Sequence, residues 1–238
     1  MSDQVDLQEL NNTLSELSSA IEASFAAVSM ANVQAQCQAL RVFLDDLELA
    51  DHQQAGVDKL LGMGWYDLGI SYRDVKDVKK SDKAYKMAIV SLEKLTDSPK
   101  HAEFSVNQIA ACRNHLGLLY MEHGPEDKAA EYLDAAISDR ESIAKQYPGN
   151  EANQVYLGGA FCNRGHVERH VERNATAIEY YQRSIKTLEA VIPPCDCGCR
   201  DATNANLPNT KGHPDWIVLA HAFLCNAAAG QALAEKES

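Results

Sequence analysis

The sequence predicts an all-α protein built from repeated helix pairs. Apolar residues recur at intervals of three and four over most of the 238 residues, which is the period of an amphipathic helix. Almost no stretch alternates apolar and polar residues as a strand would, and no proline occurs before Pro99. One residue pattern also recurs every 48 residues, which is typical of a helical-repeat architecture.

Residues 1–50 form an acidic segment that we expect to be helical. They hold eight acidic side chains and one basic side chain, Arg41, and so carry −7 of the formal net charge of −12. Leucine and isoleucine from Leu7 to Ile21 follow the helical period, which favours a helix pair with a solvated acidic face over a disordered tail. We expect this segment to pack on or cap the repeats, and whether it fills their binding groove stays open.

Residues 51–193 contain the repetition. A glycine recurs at 69, 117 and 165, and a large side chain recurs at 85, 133 and 181. A glycine lets two helices approach closely, and the large side chain fills the space between them. One such pair cannot bury its apolar face alone, so we expect the pairs to stack.

At these positions the chain resembles the tetratricopeptide repeat family, which implies a right-handed solenoid of three helix pairs with flanking helices. The 48-residue period exceeds the usual period of about 34 residues, which predicts longer helices. Arg164 and Glu168 stand in the third unit where the family has leucine and tyrosine. Phrases such as SIAKQYPGN also resemble arrays found with bacterial serine/threonine kinases, although the chain has no kinase motif. The matching residues are Trp65, Leu68, Gly69, Tyr72, Tyr85 and Ala88, then Leu116, Gly117, Tyr120, Gly124, Ala129 and Ala136.

The resemblance implies a non-catalytic scaffold or adaptor whose first helices line a concave groove for a peptide or a partner helix. The lysines with which some members hold a peptide carboxylate are missing, which argues against that ligand. The predicted face also includes Gly159 and Cys162 in the third unit. The alternative is that flanking helices pack over this face and leave no open groove. The candidate partner-binding residues are Tyr66, Arg73, Asn114, Met121, His166, Arg169 and His170.

Residues 194–213 form a cysteine-rich loop before a C-terminal capping helix at 214–238. Cys195, Cys197 and Cys199 could converge on one soft metal ion, zinc or copper, with His166 and His170 as further ligands. This predicts, as the alternative function, a metal-binding or redox-sensing protein. The opposing interpretation is that the helical thiols are core residues and the loop thiols are incidental, in which case the protein has no cofactor.

Several classes of function are disfavoured. The chain has no phosphate-binding loop, dinucleotide fingerprint or nucleophile elbow, so we expect no enzyme activity. A net charge of −12 repels nucleic acid and anionic lipid. We see neither a secretory signal nor an apolar run of about 20 residues, and we expect a cytoplasmic protein. Incompletely capped repeats could also stack into a homo-oligomer.

Overall fold

The computed structural model describes residues 6–27, 30–49, 55–192 and 215–238. These residues form nine helices and no strand, so the predicted all-α class is confirmed. Helices adjacent in the chain pack in pairs. The helices are α1 Leu7–Ala26, α2 Met30–Leu49, α3 Ala55–Asp74, α4 Val78–Glu93, α5 Ala102–His123, α6 Glu126–Gln146, α7 Glu151–His170, α8 Asn174–Glu189 and α9 Asp215–Glu237.

The chain divides into two compact units, Met1–Cys112 and Arg113–Ser238, and the division falls inside α5. In the first unit α3 packs along α4, while α1 and α2 pack on each other and on α3. The missing side chain of Gly64 makes room for Leu14 of α1 and Leu44 of α2. The described part of the acidic N-terminal segment therefore forms two helices, α1 and α2, which pack on the first helix of the first predicted repeat.

The second unit is built around α7. This helix packs against α6, α8 and α9, and α9 also packs along α8. Val155, Leu188 and Leu224 meet in one buried cluster that joins α7, α8 and α9. The segment predicted to be a C-terminal capping helix therefore forms α9 and covers the last helix pair, whereas the cysteine-rich loop lies outside the described residues.

The repeated glycines are points of close approach within three helix pairs. A β-carbon added at any of them would lie 2.5–2.7 Å from a side chain of the second helix, where real β-carbons are essentially never found. Only glycine fits at this distance, so the repeated glycine and the repeated large side chain are one packing feature. The contacts are Gly69 with Tyr85, Gly117 with Leu133, and Gly165 with Tyr181.

The turns after α3 and α7 share one geometry. Lys76 and Glu172 adopt left-handed backbone conformations, with φ of 61° and 60°. In each turn the next amide donates to a carbonyl five residues earlier, Asp77 to Tyr72 and Arg173 to Glu168. This bond closes the helix end with a Schellman-type turn and directs the chain into the second helix.

Within the described residues, one helix is long and apolar enough to cross a membrane. It spans Trp216–Glu237 and corresponds to α9, where the sequence analysis expected no such segment. Its apolar residues pack into the clusters shared with α7 and α8. A core helix of a soluble protein can meet the same criteria, so length and apolarity alone assign no function to α9.

Candidate functional site

The candidate contact residues of the first unit lie on α3. Tyr66 is half-buried and packs its ring 6.1 Å from that of Tyr85. The Arg73 guanidinium lies 3.4 Å from the Asp74 carboxylate and is 28% exposed. Helix α1 covers a neighbouring part of α3, since the Ser18 hydroxyl donates to the Asp67 carboxylate at 2.9 Å. The N-terminal helices therefore pack beside the predicted binding face of α3.

A pair of asparagines joins α5 to α7 in the second unit. The Asn163 amide nitrogen donates to the Asn114 amide oxygen at 2.8 Å, and both side chains are half-buried. Met121, farther along α5, packs against the buried cluster of Ala129, Leu133 and Val167. Met121 therefore contributes to the core as well as to the predicted face.

The His166 ring contacts two other polar side chains where α7 packs on α8. Its Nδ1 atom is 2.8 Å from the Tyr181 hydroxyl, and its Nε2 atom is 3.5 Å from the Cys162 sulfur. Burial, together with the positive charge of Arg169, lowers the pKa of His166 below its ordinary value of 6.5. A neutral ring fits both contacts, because Tyr181 then donates to Nδ1 and Nε2 donates to sulfur.

Burial raises the pKa of the Cys162 thiol to about 12 and that of the Tyr181 hydroxyl to about 12. A thiol with so high a pKa is not a thiolate near neutral pH, and the thiolate is the form that attacks electrophiles and binds metal. Cys162 is therefore a buried thiol that stays protonated near neutral pH. The contacts among Cys162, His166 and Tyr181 position α7 on α8.

Helix α9 covers part of the face of α7 that the sequence analysis expected to be exposed. Cys162 is 1% exposed and packs with Ala227 and Ala234. A β-carbon on Gly159 would meet the Phe223 ring at 2.5 Å. The expectation that Gly159 and Cys162 line an open groove is therefore wrong, because the apolar surface of α9 packs there.

The remaining candidates lie near the end of α7. His170 is exposed. The Arg169 guanidinium lies 3.7 Å from the Glu237 carboxylate of α9, with 32% of its side chain exposed. Around the end of α7, a partner could therefore reach His170 fully and Arg169 in part.

Arg164 and Glu168, which depart from the repeat pattern, form a buried ion pair that the sequence analysis missed. Their side chains are 9% and 3% exposed, and the guanidinium also lies 2.7 Å from the Asp134 carboxylate on α6. Arg173 holds the second Glu168 oxygen at 2.6 Å. The spacing of four residues was the available signal, since opposite charges at i and i+4 meet on one helix face.

No group of three potential metal ligands occurs among the residues that the structure describes. Cys195, Cys197 and Cys199 lie outside them, so the predicted loop site stays a prediction. Of its further ligands, His170 is exposed, whereas both ring nitrogens of His166 already face side-chain partners.

No protein-family model matches the chain. No curated protein is significantly similar to it either. The resemblance to tetratricopeptide repeats therefore rests on the residues quoted above.

Proposed function

We propose that the protein is a non-catalytic interaction scaffold of the tetratricopeptide-repeat kind, which binds a peptide or a helix on the first helices of its pairs. In this proposal α3/α4, α5/α6 and α7/α8 are three repeats of a right-handed solenoid. The glycine contact that recurs every 48 residues supports the repeat assignment. The asparagine pair of α5 and α7 carries the binding assignment.

Each amide side chain offers one acceptor oxygen and an NH₂ donor group. The bond from Asn163 to Asn114 uses one donor and one acceptor. Among the contacts of the described residues, the Asn114 NH₂ group and the Asn163 oxygen have no assigned partner. A donor and an acceptor side by side complement the C=O and N–H groups of an extended peptide, so the pair can bind a main chain without regard to its sequence.

Arg169 and His170 lie along α7, two turns beyond Asn163. Arg169 is partly exposed despite its contact with Glu237, and His170 is exposed. These groups would select for acidic side chains in a partner that the asparagines hold by its main chain.

Site-specific photo-crosslinking in the native host tests this proposal. A benzophenone amino acid at His170 of α7 should give a discrete adduct, and the same probe at Lys186, exposed on α8, should not. Replacing Asn114 and Asn163 by alanine should then remove most of the His170 adduct. No adduct at His170, equal adducts at the two positions, or an adduct that survives the double replacement would contradict the proposal.

Charge reversal tests the preference for an acidic partner. Arg169→Glu should weaken capture of the crosslinked partner, and Arg73→Glu tests whether α3 of the first unit shares the contact. Unchanged capture in either variant removes that arginine from the contact set. The metal-binding alternative has no supporting observation among the described residues and stays a prediction from the loop sequence.

A further inference from the structure

A cavity in the first unit lies between α2 and the turn that joins α3 to α4. Its volume is about 640 Å³, within the range of small-molecule sites. Gln34, Cys37 and Gln38 line it from α2, and Tyr72 lines it from the end of α3. The remaining wall is the turn itself and the first turn of α4, including Lys76, Lys79 and Lys80.

The charge of this wall is opposite to that of the chain. Residues 76–86 hold five of the thirteen lysines in a protein of net charge −12. Lys80 is paired with Asp77 at 2.8 Å, and this contact lowers the pKa of Asp77. Lys76, Lys79 and Lys83 form no salt bridge within the described part of the chain. Lys76 and Lys79 line the cavity without a salt-bridge partner, and a bound anion would compensate their charge.

A second, smaller hollow of about 60 Å³ shares Tyr72 and Lys80 with the cavity, and Trp65, Arg41 and Lys83 also line it. Trp65 is 4% exposed, and its indole Nε1 has no hydrogen-bond partner among the described residues. The Trp65 ring therefore lies beside two of these lysines, Lys80 and Lys83.

We propose that the cleft between α2 and the α3–α4 turn binds a small organic anion with two or more negative charges. Lys76, Lys79, Lys80 and Lys83 hold the charged oxygens. Phosphate esters and polycarboxylates share this chemistry. The site is separate from the asparagine pair of the second unit and does not depend on the interaction function.

The chain offers a direct reporter, because it contains two tryptophans and one of them is Trp65. In a full-length Trp216→Phe variant, Trp65 is the sole indole fluorophore. Titration with inorganic pyrophosphate and, separately, with citrate at constant ionic strength should change the Trp65 emission saturably, with one ligand per chain by calorimetry. Saturation by pyrophosphate alone assigns a phosphate ligand, and saturation by citrate alone assigns a polycarboxylate.

Two matched variants with equal loss of charge test the location. Lys76→Gln/Lys79→Gln/Lys83→Gln should weaken binding about tenfold or more, which is 1.4 kcal/mol per factor of ten. Lys100→Gln/Lys145→Gln/Lys186→Gln, which changes exposed lysines away from the cleft, should leave it within about twofold. Circular dichroism checks that both fold. No saturable response to either anion, or an equal loss in the two triple variants, would overturn the proposal.

Discussion

At the scale of single residues, the third helix pair shows how polar side chains can occupy core positions. Leucine and tyrosine stand at these positions in α3 and α5, as Leu68 with Tyr72 and Leu116 with Tyr120, whereas α7 has Arg164 with Glu168. The buried charges are tolerated because each compensates the other. Removing either partner leaves a buried charge with poorer compensation, which is more costly than replacing both partners by apolar groups.

Two single variants and one double variant test this account. Arg164→Leu and Glu168→Tyr should each lower the free energy of unfolding by about 3 kcal/mol. The double variant restores the side chains of the other two helix pairs, and it should lie within about 1 kcal/mol of the parent protein or above it. Urea denaturation measures all three, and additive losses in the double variant would show that the two charges do not compensate each other.

Protonation of His166 should make the free energy of unfolding depend on pH. Its pKa is lowered in the folded protein by burial and by Arg169, so the unfolded chain binds a proton more readily. This contribution to stability is complete above the ordinary pKa of 6.5 and is lost as the pH falls below it.

Thermal denaturation between pH 7 and pH 5 checks this expectation. His166→Gln should show a smaller loss of stability over this range than the parent, and His170→Gln, at an exposed position, should behave as the parent does. Identical pH profiles for all three proteins would mean that His166 does not contribute.

At the scale of helices, the repeated glycines set the separation of each pair. Replacing a helical glycine by alanine ordinarily stabilises a helix by about 1 kcal/mol. At Gly165 the added methyl group would lie 2.7 Å from the Tyr181 ring, which is itself buried between α7, α8 and α9. Packing should therefore outweigh the gain in helix propensity.

We expect Gly165→Ala to lower the free energy of unfolding by about 1–3 kcal/mol. Gly149→Ala serves as the control, because a β-carbon at Gly149 has no atom within 4 Å. Chemical denaturation of the two variants measures the difference. A Gly165→Ala protein as stable as the control would show that the two helices separate at little cost.

The sequence was sufficient for the helical class and for the glycine contacts, since both depend on local periodicity and on residue size. The sequence was insufficient to predict which parts of the binding face other helices cover. Whether α9 packs over Gly159 and Cys162, and whether α1 packs on α3, depends on contacts between segments far apart in the chain. The pairing of Arg164 with Glu168 had a local signal, but the repeat pattern assigned these two residues as departures rather than as partners.

At the scale of the whole molecule, the open question is what the cysteine-rich loop contributes. The metal-binding alternative predicts about one equivalent of zinc or copper in protein purified under reducing conditions without a histidine tag. Replacing Cys195, Cys197 and Cys199 by serine should remove this metal. Mass spectrometry of both proteins decides the matter, because metal-free parent protein would leave the loop without this role.

The second ionic contacts of Arg164 and Glu168 affect how such a buried ion pair can arise by mutation. A change from leucine and tyrosine to Arg164 and Glu168 takes at least two substitutions, and the first one places a lone charge in the core. Each charge, however, has a second partner that is half exposed, Asp134 for the arginine and Arg173 for the glutamate. Either substitution could therefore come first without leaving a charge wholly uncompensated. The structure thus provides two mutational routes, each with a partly compensated intermediate.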